Sequence, residues 1–413
     1  AKGLHASVSW LQWIVDAYTL SFASILLTVG HIGDQFGEKK IFLYGVALFA
    51  LSSLCCGLAS SSLMLTIFRL IQGLFAAFIV PTSLALINAV FTDSKSRSWA
   101  TGIWGALGGI AAAAGPILGG ILTSLFSWRA VFFVNIPVAI ICFILTFKFI
   151  KVKIPKHNNK FDIPGQFTAI LFIATLAYAL IEAGRVGFAA RQIIICFIIS
   201  ALSLLTFIFC ESKAKKPMLP LTFFRNKIFS NALIVGFAMN SGLYGVLFIL
   251  PLYFQQIRHY TVMTTGFALL PLMITLAFAS YLSGKIVNKI GYKWPIIIGL
   301  VIAALGFCGI LFHNTSTTSY WHFIIPFVLT GFGTAFTMPA ATISIMQSVN
   351  DNKKGIAAGA FNTFRQIGSL VGVAITGTII ASSDTFIAGM NISLYLAALI
   401  FVFGSLTTLL LIK

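Results

Sequence analysis

The sequence has little charge, and its acids are far outnumbered by its bases. Only 9% of the 413 residues are charged, with 9 Asp and Glu against 27 Lys and Arg, while 59% are hydrophobic. A soluble domain carries about 25% charged residues, so this chain has too few charges to cover a water-facing surface. The composition therefore predicts a polytopic membrane protein and excludes a soluble domain.

Several kinds of site are also missing from the sequence. It contains no phosphate-cradling Gly–Lys loop, no Gly-x-Ser-x-Gly nucleophile elbow and no metal-ligand spacing of its six His and six Cys. All six cysteines lie within apolar runs, which is typical of small buried side chains. We therefore expect no enzymatic activity, no metal and no cofactor.

Apolar runs divide the chain into membrane-spanning segments. A helix needs about 20 apolar residues to cross the hydrocarbon core, and the connections are too short to form a soluble domain. Cutting the sequence at its charged and turn-rich breaks predicts thirteen helices, near residues 10–30, 41–59, 62–91, 99–124, 130–150, 164–184, 191–210, 229–255, 263–284, 294–313, 319–348, 355–381 and 391–412.

The positive charge is distributed unevenly between the two sets of loops. One set of alternate loops holds 20 Lys and Arg, and the opposite set holds 5. Because cytoplasmic loops carry the excess of Lys and Arg, the C-terminus is predicted to lie in the cytoplasm. This asymmetry also accounts for the net charge of +18 without a nucleic-acid partner.

An internal repeat relates the two parts of the chain. Three segments match three later segments in the same order, at offsets of 254, 258 and 257 residues: Gly30–Lys39 with Gly284–Lys293, Gly73–Pro81 with Gly331–Pro339, and Ala111–Gly120 with Gly368–Gly377. The repeat predicts an N-terminal half (1–150), a linker with two inserted helices (151–228) and a six-helix C-terminal half (229–413). The helix at 229–255 has no counterpart in the first half, so we expect a fourteen-helix protein of which the first helix is lacking. Parallel halves of this kind place a substrate site at the midplane between them and alternate its access.

Few charged residues lie inside the predicted helices. Asp16 is the one acid well within a span, and intramembrane acids by default mark an ion or proton path. Arg69 lies at a similar depth, which permits a structural ion pair as the alternative role. Arg365 has no acid to pair with in the second half, so it is either a cavity residue or a structural Arg bound to carbonyls.

Two glycine-rich segments complete the pattern. The loop ending at Lys40 places Asp34 at a helix end, where it either caps a neighbouring helix in one conformation or forms a plain tight turn. The helix at 99–124 is crowded with glycines and holds Gly115-Pro116 in mid-span, which predicts a kink and the close packing of two helices.

Together these segments resemble the fourteen-helix drug:proton antiporters of the major facilitator superfamily. Trp10-Leu-Gln-Trp-Ile-Val-Asp16-Ala-Tyr18-Thr-Leu resembles the second helix of the branch that exports quaternary ammonium compounds. Gly30–Lys40 is similar to the cytoplasmic-loop motif, Arg69-Leu-Ile-Gln72-Gly73 to the fourth-helix motif, and Ala111–Gly120 to the antiporter motif of the fifth helix. Three positions depart from the family pattern, namely Gln35 and Glu38 in place of arginines and Ala111 in place of a glycine.

The resemblance implies roles for these residues. It assigns proton coupling to Asp16 and Arg69. The conformational motif consists of Gly30, Gly33, Asp34, Gly37 and Lys39, and the antiporter motif of Gly102, Gly115, Pro116, Gly119 and Gly120. The candidate cavity residues are Gln72, Asn240, Asn362, Arg365 and Gln366.

The resemblance also implies the fold and the activity. We expect an all-α protein with the major facilitator fold, in which 13 of 14 helices are present. We expect it to export small lipophilic, typically cationic, drugs against protons across the bacterial inner membrane. It is predicted to act as a monomer, with a periplasmic adaptor left open. The alternatives are a metabolite exporter or proton symporter on the same fold and, more remotely, a non-transporting receptor or an intramembrane enzyme.

Overall fold

The computed structural model of the protein describes residues 7–91, 93–150, 162–214, 217–313, 318–350 and 353–412, and these residues form helices joined by short turns. Within them, eleven helices are long and apolar enough to cross a membrane. Two further helices, α1 (Val8–Phe36) and α4 (Ser94–Leu125), have 29 and 32 residues. Each of the thirteen predicted segments therefore falls on a long helix or a pair of consecutive helices, and the predicted all-α polytopic fold is confirmed.

The remaining helices follow in chain order. The first part of the chain also contains α2 (Glu38–Leu58), α3 (Ser62–Val90), α5 (Ala130–Phe133) and α6 (Asn135–Phe149). An additional pair follows, α7 (Ile163–Val186) and α8 (Arg191–Lys213). The last part contains α9 (Lys227–Leu252), α10 (Val262–Ala268), α11 (Leu270–Ile290), α12 (Lys293–His313), α13 (Trp321–Gln347), α14 (Lys354–Ser382) and α15 (Phe386–Leu411).

Polar side chains cap many of the helix starts. Asp93 Oδ1 accepts a hydrogen bond from Ser96 N at 2.8 Å at the start of α4, and Asp162 Oδ1 accepts one from Gly165 N at 2.9 Å in α7. Such caps satisfy N–H groups that have no partner within the helix. In a membrane every backbone group needs a partner within the protein. The caps provide such partners at the helix starts.

The turn predicted over Gly30–Lys40 is much shorter in the structure. α1 continues to Phe36 and α2 begins at Glu38, so that Gly37 alone separates the two helices. Gly37 has a φ of 89° and Gly291, its counterpart at an offset of 254, has a φ of 77° between α11 and α12. Glycine adopts this backbone conformation without a steric penalty. The earlier glycines do not end α1 because a glycine within a helix costs only about 1 kcal/mol.

The internal repeat also appears in the helix packing. Gly73 of α3 lies so close to α1 that a Cβ would overlap the carbonyl oxygen of Tyr18. In the second half, a Cβ on Gly331 of α13 would overlap the carbonyl oxygen of Leu272 in α11. Both residue pairs are related by the offsets found in the sequence, 258 for the glycines and 254 for the carbonyls. The two halves therefore repeat the same helix contact.

Helices α9 and α14 pack closely against each other in the C-terminal half. A Cβ on Gly372 of α14 would overlap the carbonyl oxygen of Ser241, and a Cβ on Gly368 would overlap that of Phe237. From the other side, a Cβ on Gly245 of α9 would lie 2.7 Å from Thr376 Oγ1. Small residues of this kind allow two backbones to come together within the bilayer.

Replacing Gly372 with Ala is expected to destabilise the protein by about 1–3 kcal/mol, the usual cost of overpacking. The added methyl group has no space and must push α14 away from α9. Thermal unfolding in detergent would measure the effect as a lower melting temperature. Gly284→Ala is the matched control, because a Cβ on Gly284 would meet nothing within 4 Å. Equal melting temperatures of the two variants would contradict this packing.

Candidate transport site

Asp16 is enclosed where α1 meets α14 of the other half, a contact we call the α1–α14 seam. Gln12 and Leu20 lie one helical turn on either side of Asp16, so the three residues share a face of α1. Gln12 Nε2 donates to the carbonyl oxygen of Ala374 in α14 at 2.8 Å, and Leu20 packs against Leu370. Asp16 is 0% exposed, and neither of its carboxyl oxygens has a hydrogen-bond partner among the described residues.

Arg69 binds partners other than Asp16. Its Nε donates to the carbonyl oxygen of Ile14 at 3.0 Å, and its Nη1 donates to Gln72 Oε1 at 2.7 Å. The guanidinium also lies over the ring of Tyr18, 4.2 Å from the ring centre, in a cation–π contact. Over the described part of the chain, Asp16 and Arg69 form no ion pair. The structural pairing that their equal depth permitted is therefore absent in this conformation.

A polar network continues from Arg69 into the N-terminal half. Gln72 Nε2 donates to Ser53 Oγ at 2.9 Å, and Asn135 Nδ2 donates to the same oxygen at 3.0 Å. Ser53 in turn donates to the carbonyl oxygen of Phe132 at 2.9 Å, so its hydroxyl group is fully satisfied. Gln72 is 1% exposed. It is thus buried between α3 and α2 in this conformation, whereas the sequence placed it at the wall of a cavity.

Helix α7 lies across the α1–α14 seam and contacts both of its helices. On the α1 side, Trp13 Nε1 donates to Glu182 Oε1 of α7 at 2.9 Å. On the α14 side, Thr378 Oγ1 donates to the carbonyl oxygen of Leu180. Ala177 of α7 also packs in the cluster that holds Leu20 of the seam. The inserted helix therefore covers the contact in which Asp16 is buried.

A second seam joins the halves between α4 and α10. A Cβ on Gly266 of α10 would lie 2.7 Å from Pro116 O, and a Cβ on Gly120 of α4 would lie 3.2 Å from a carbonyl oxygen of α10. The repeat aligns Gly266 with Gln12 and Gly120 with Gly377. A Cβ on Gly377 would in turn lie 2.6 Å from Gln12 Cγ across the first seam. The internal repeat therefore relates the two seams.

The antiporter motif contributes unequally to this second seam. Pro116 and Gly120 face α10, whereas a Cβ on Gly115 or Gly119 would meet nothing within 4 Å. The contacts of Gly102 lie outside the described part of the structure. The close packing that the glycine spacing predicts is thus formed on one face of α4, and its partner is a helix of the other half.

Arg365 of α14 is held by two amide side chains. Its Nε donates to Asn240 Oδ1 of α9 at 3.3 Å, and its Nη1 donates to Asn362 Oδ1 at 3.2 Å. The sequence contains no acid within the C-terminal helices α9 to α15. Gln366 lies one turn from Leu370, which contacts α1. The structure therefore brings four of the five predicted cavity residues to one region of α9 and α14.

Part of the predicted conformational motif can be placed. Lys39 Nζ donates to the carbonyl oxygen of Phe147 in α6 at 3.0 Å and lies 5.5 Å from the centre of its ring. The contacts of Gly30, Gly33 and Asp34 lie outside the part of the chain that the structure describes. The motif therefore joins α2 to α6 through Lys39, and the positive φ of Gly37 sets the angle at which α2 begins.

Several residues that build the site were not predicted as site residues from the sequence. Gln12 and Glu182 both lie at the first seam, and Ser53 and Asn135 lie in the polar network. Each is a polar residue within or beside an apolar span, a signal that can be read from the sequence. Their partners are far away in the sequence, however, so only the fold shows which of these polar residues meet.

The sequence matches a known protein family over most of its length. A family model described as Major Facilitator Superfamily matches residues 1–373. The chain belongs to the Major Facilitator Superfamily. It is therefore a multi-pass membrane transporter and not an enzyme, and the predicted family is confirmed.

Relatives and solved structures of the superfamily agree with this assignment. The methylenomycin A resistance protein of Bacillus subtilis is 33% identical over 386 residues, covering 94% of this chain and 83% of the relative. The multidrug resistance protein Stp of Mycobacterium tuberculosis is 33% identical over 372 residues, covering 90% and 69%. The crystal structure of the human organic anion transporter MFSD10 has a TM-score of 0.66 at 15% identity, covering 96% of this chain and 83% of that one, and it shows the shared fold.

Proposed function

We propose that this transporter exports small lipophilic drugs in exchange for protons. The observation that carries the proposal is the burial of Asp16 in the seam between the halves, with both carboxyl oxygens unpartnered among the described residues. An unpaired carboxylate is costly away from water, so the buried acid is favoured in its neutral, proton-carrying form. The names of the relatives, which are drug and antibiotic resistance proteins, support the substrate class.

The distribution of charge gives the orientation of the seams. By the positive-inside rule, the end of the bundle where α1 begins faces outwards, and the C-terminus lies on the cytoplasmic side of the bacterial inner membrane. Gln12 of α1 and Gly120 of α4 both lie near this outer end. Both seams therefore close the outer side, which supports a conformation that opens towards the cytoplasm.

Alternating access then links the proton to the drug. In the outward-open state the α1–α14 seam separates and Asp16 takes up a proton from outside. Closure of the seam buries the neutral acid, and a drug that enters from the cytoplasm releases the proton inwards. One proton crossing about 100 mV supplies about 2.3 kcal/mol, and each 1.4 kcal/mol is tenfold. A single proton thus sustains roughly a fortyfold drug gradient.

Everted membrane vesicles with an acidic lumen test this proposal. A panel of lipophilic fluorescent compounds, some neutral and some charged, would be added outside together with vesicles that contain the chain or lack it. We expect the chain to move at least one compound into the acidic lumen, and a protonophore to abolish this transport. Accumulation driven by an alkaline lumen would instead indicate a symporter. Absence of any transport of the panel would favour a non-transporting role.

A further inference from the structure

The polar cluster around Arg365 contains donors in excess. A guanidinium group has five N–H donors and no acceptor, so any side chain that binds it must present an oxygen. Asn240 and Asn362 therefore both turn Oδ1 towards Arg365. This requirement fixes the orientation of both amides, whose NH₂ groups must point elsewhere.

One consequence is a buried donor that has no partner. Asn240 is 3% exposed, and its Nδ2 has no hydrogen-bond partner among the described residues. An unsatisfied buried donor is costly, and its presence in a polar cluster calls for an explanation. The amide oxygen already accepts a hydrogen bond from Arg365. The remaining Nδ2 group of Asn240 can therefore be satisfied only by a hydrogen-bond acceptor.

The charge of the cluster points to the same kind of ligand. No acid occurs in the helices of the C-terminal half, so the positive charge of Arg365 is not neutralised there. In the N-terminal half, Arg69 is bound to a carbonyl and an amide, and Asp16 is sealed in the seam. The charges within the membrane that are available to a ligand are therefore positive.

The cluster also lies where a ligand can reach it. Asn362 lies two turns and Gln366 one turn before Leu370 on α14, so they share the face that meets α1 at Leu20. They therefore lie on the cytoplasmic side of the closed seam, towards the space between the halves. Arg365 is mostly buried but keeps some exposed surface, through which a ligand could reach its guanidinium group.

We propose that Arg365, Asn240 and Asn362 bind an anionic group of the exported compound, for which a carboxylate is the expected form. This inference rests on the proposed export function and changes its substrate class, because the resemblance alone predicts cationic compounds. A carboxylate accepts hydrogen bonds at both oxygens and matches the fork of a guanidinium. It would accept hydrogen bonds from Arg365 and from Asn240 Nδ2, which has no hydrogen-bond partner among the described residues.

Binding of three matched probes to the purified full chain tests the proposal. The probes are 4-phenylbutyrate, its neutral methyl ester and the cation 4-phenylbutylamine, each titrated by isothermal titration calorimetry in lipid nanodiscs. We expect the carboxylate to bind at least tenfold more tightly than the other two. Preference for the amine, or no binding of the carboxylate, would overturn the proposal. The assay needs no pH gradient, so failure of proton-coupled transport in vesicles would be a separate result.

Variants of the cluster give a second measurement. Arg365→Gln is expected to weaken carboxylate binding at least tenfold and to leave amine binding unchanged. Asn240→Asp places an acid beside Arg365, so it should remove the preference for the anion while the Arg is retained. Arg365→Lys keeps the charge and should keep the preference, which guards against loss of folding in the Gln variant. Arg129→Gln, at a residue that binds the carbonyl of Ala59, is the matched control, and an equal loss there would contradict a specific site.

Discussion

Asp16→Asn is expected to abolish proton-coupled efflux while leaving the protein folded. The acid is fully buried without an ion pair in the described residues, and Asn has nearly the shape of the protonated acid. The amide cannot release a proton, so drug binding would no longer cause proton release. We expect pH-driven transport in everted vesicles to fall to the level of vesicles without the chain, and the melting temperature to stay close to that of the wild type.

The matched control for this prediction is Asp384→Asn, which makes the same change at an exposed acid. It should transport like the wild type. Asp16→Glu keeps an ionisable group but adds a methylene to a closed space, which typically costs 1–3 kcal/mol, so partial activity is expected. Wild-type proton release by Asp16→Asn would disprove the role of this residue.

A disulfide across the α1–α14 seam is expected to lower transport at least tenfold. A Cβ on Gly377 would lie 2.6 Å from Gln12 Cγ, so the Cβ atoms of Gln12→Cys and Gly377→Cys fall near the separation that a disulfide needs, about 3.5–4.5 Å. The Gln12 change also removes the side chain that a Cβ at position 377 would meet. If the outer side must open in each cycle, the bond holds the transporter closed.

The experiment requires that the six native cysteines be replaced first. Efflux would be measured in the oxidised and the reduced protein, with each single variant as a further control. We expect at least a tenfold loss on oxidation and recovery with a reductant. Undiminished efflux by the fully cross-linked protein would show that this seam does not open during transport.

Much of the architecture could be predicted without coordinates. A membrane admits only structures that satisfy their own backbone, so apolar runs of sufficient length became helices wherever they occurred. The repeat was equally visible in the sequence, because Gly37 and Gly291 occupy equivalent positions in two matching segments. The structure adds that both residues adopt a positive φ. The predicted end of the first helix near residue 30 is wrong, because α1 continues through its glycines to Phe36.

The composition of the site was harder to predict. Asp16 is the one acid well within a predicted span, yet its burial depends on Leu370 and Ala374, more than 350 residues later in the chain. Arg69 was a natural partner by depth, but its hydrogen bonds go to Ile14 and Gln72. Equal depth gives the height of a side chain in the membrane and says nothing of the side of the helix on which it lies.

The sequence by itself determined that this protein is a repeated bundle of membrane helices with one acid well within a predicted span, because hydrophobic length, glycine spacing and charge bias are local properties. Only the tertiary structure decided that the acid is sealed by α14 and covered by α7, and that Arg365 is surrounded by amides. Those facts depend on which helix faces meet. That choice is made by packing between distant segments, where the small residues at each contact set how closely two backbones approach.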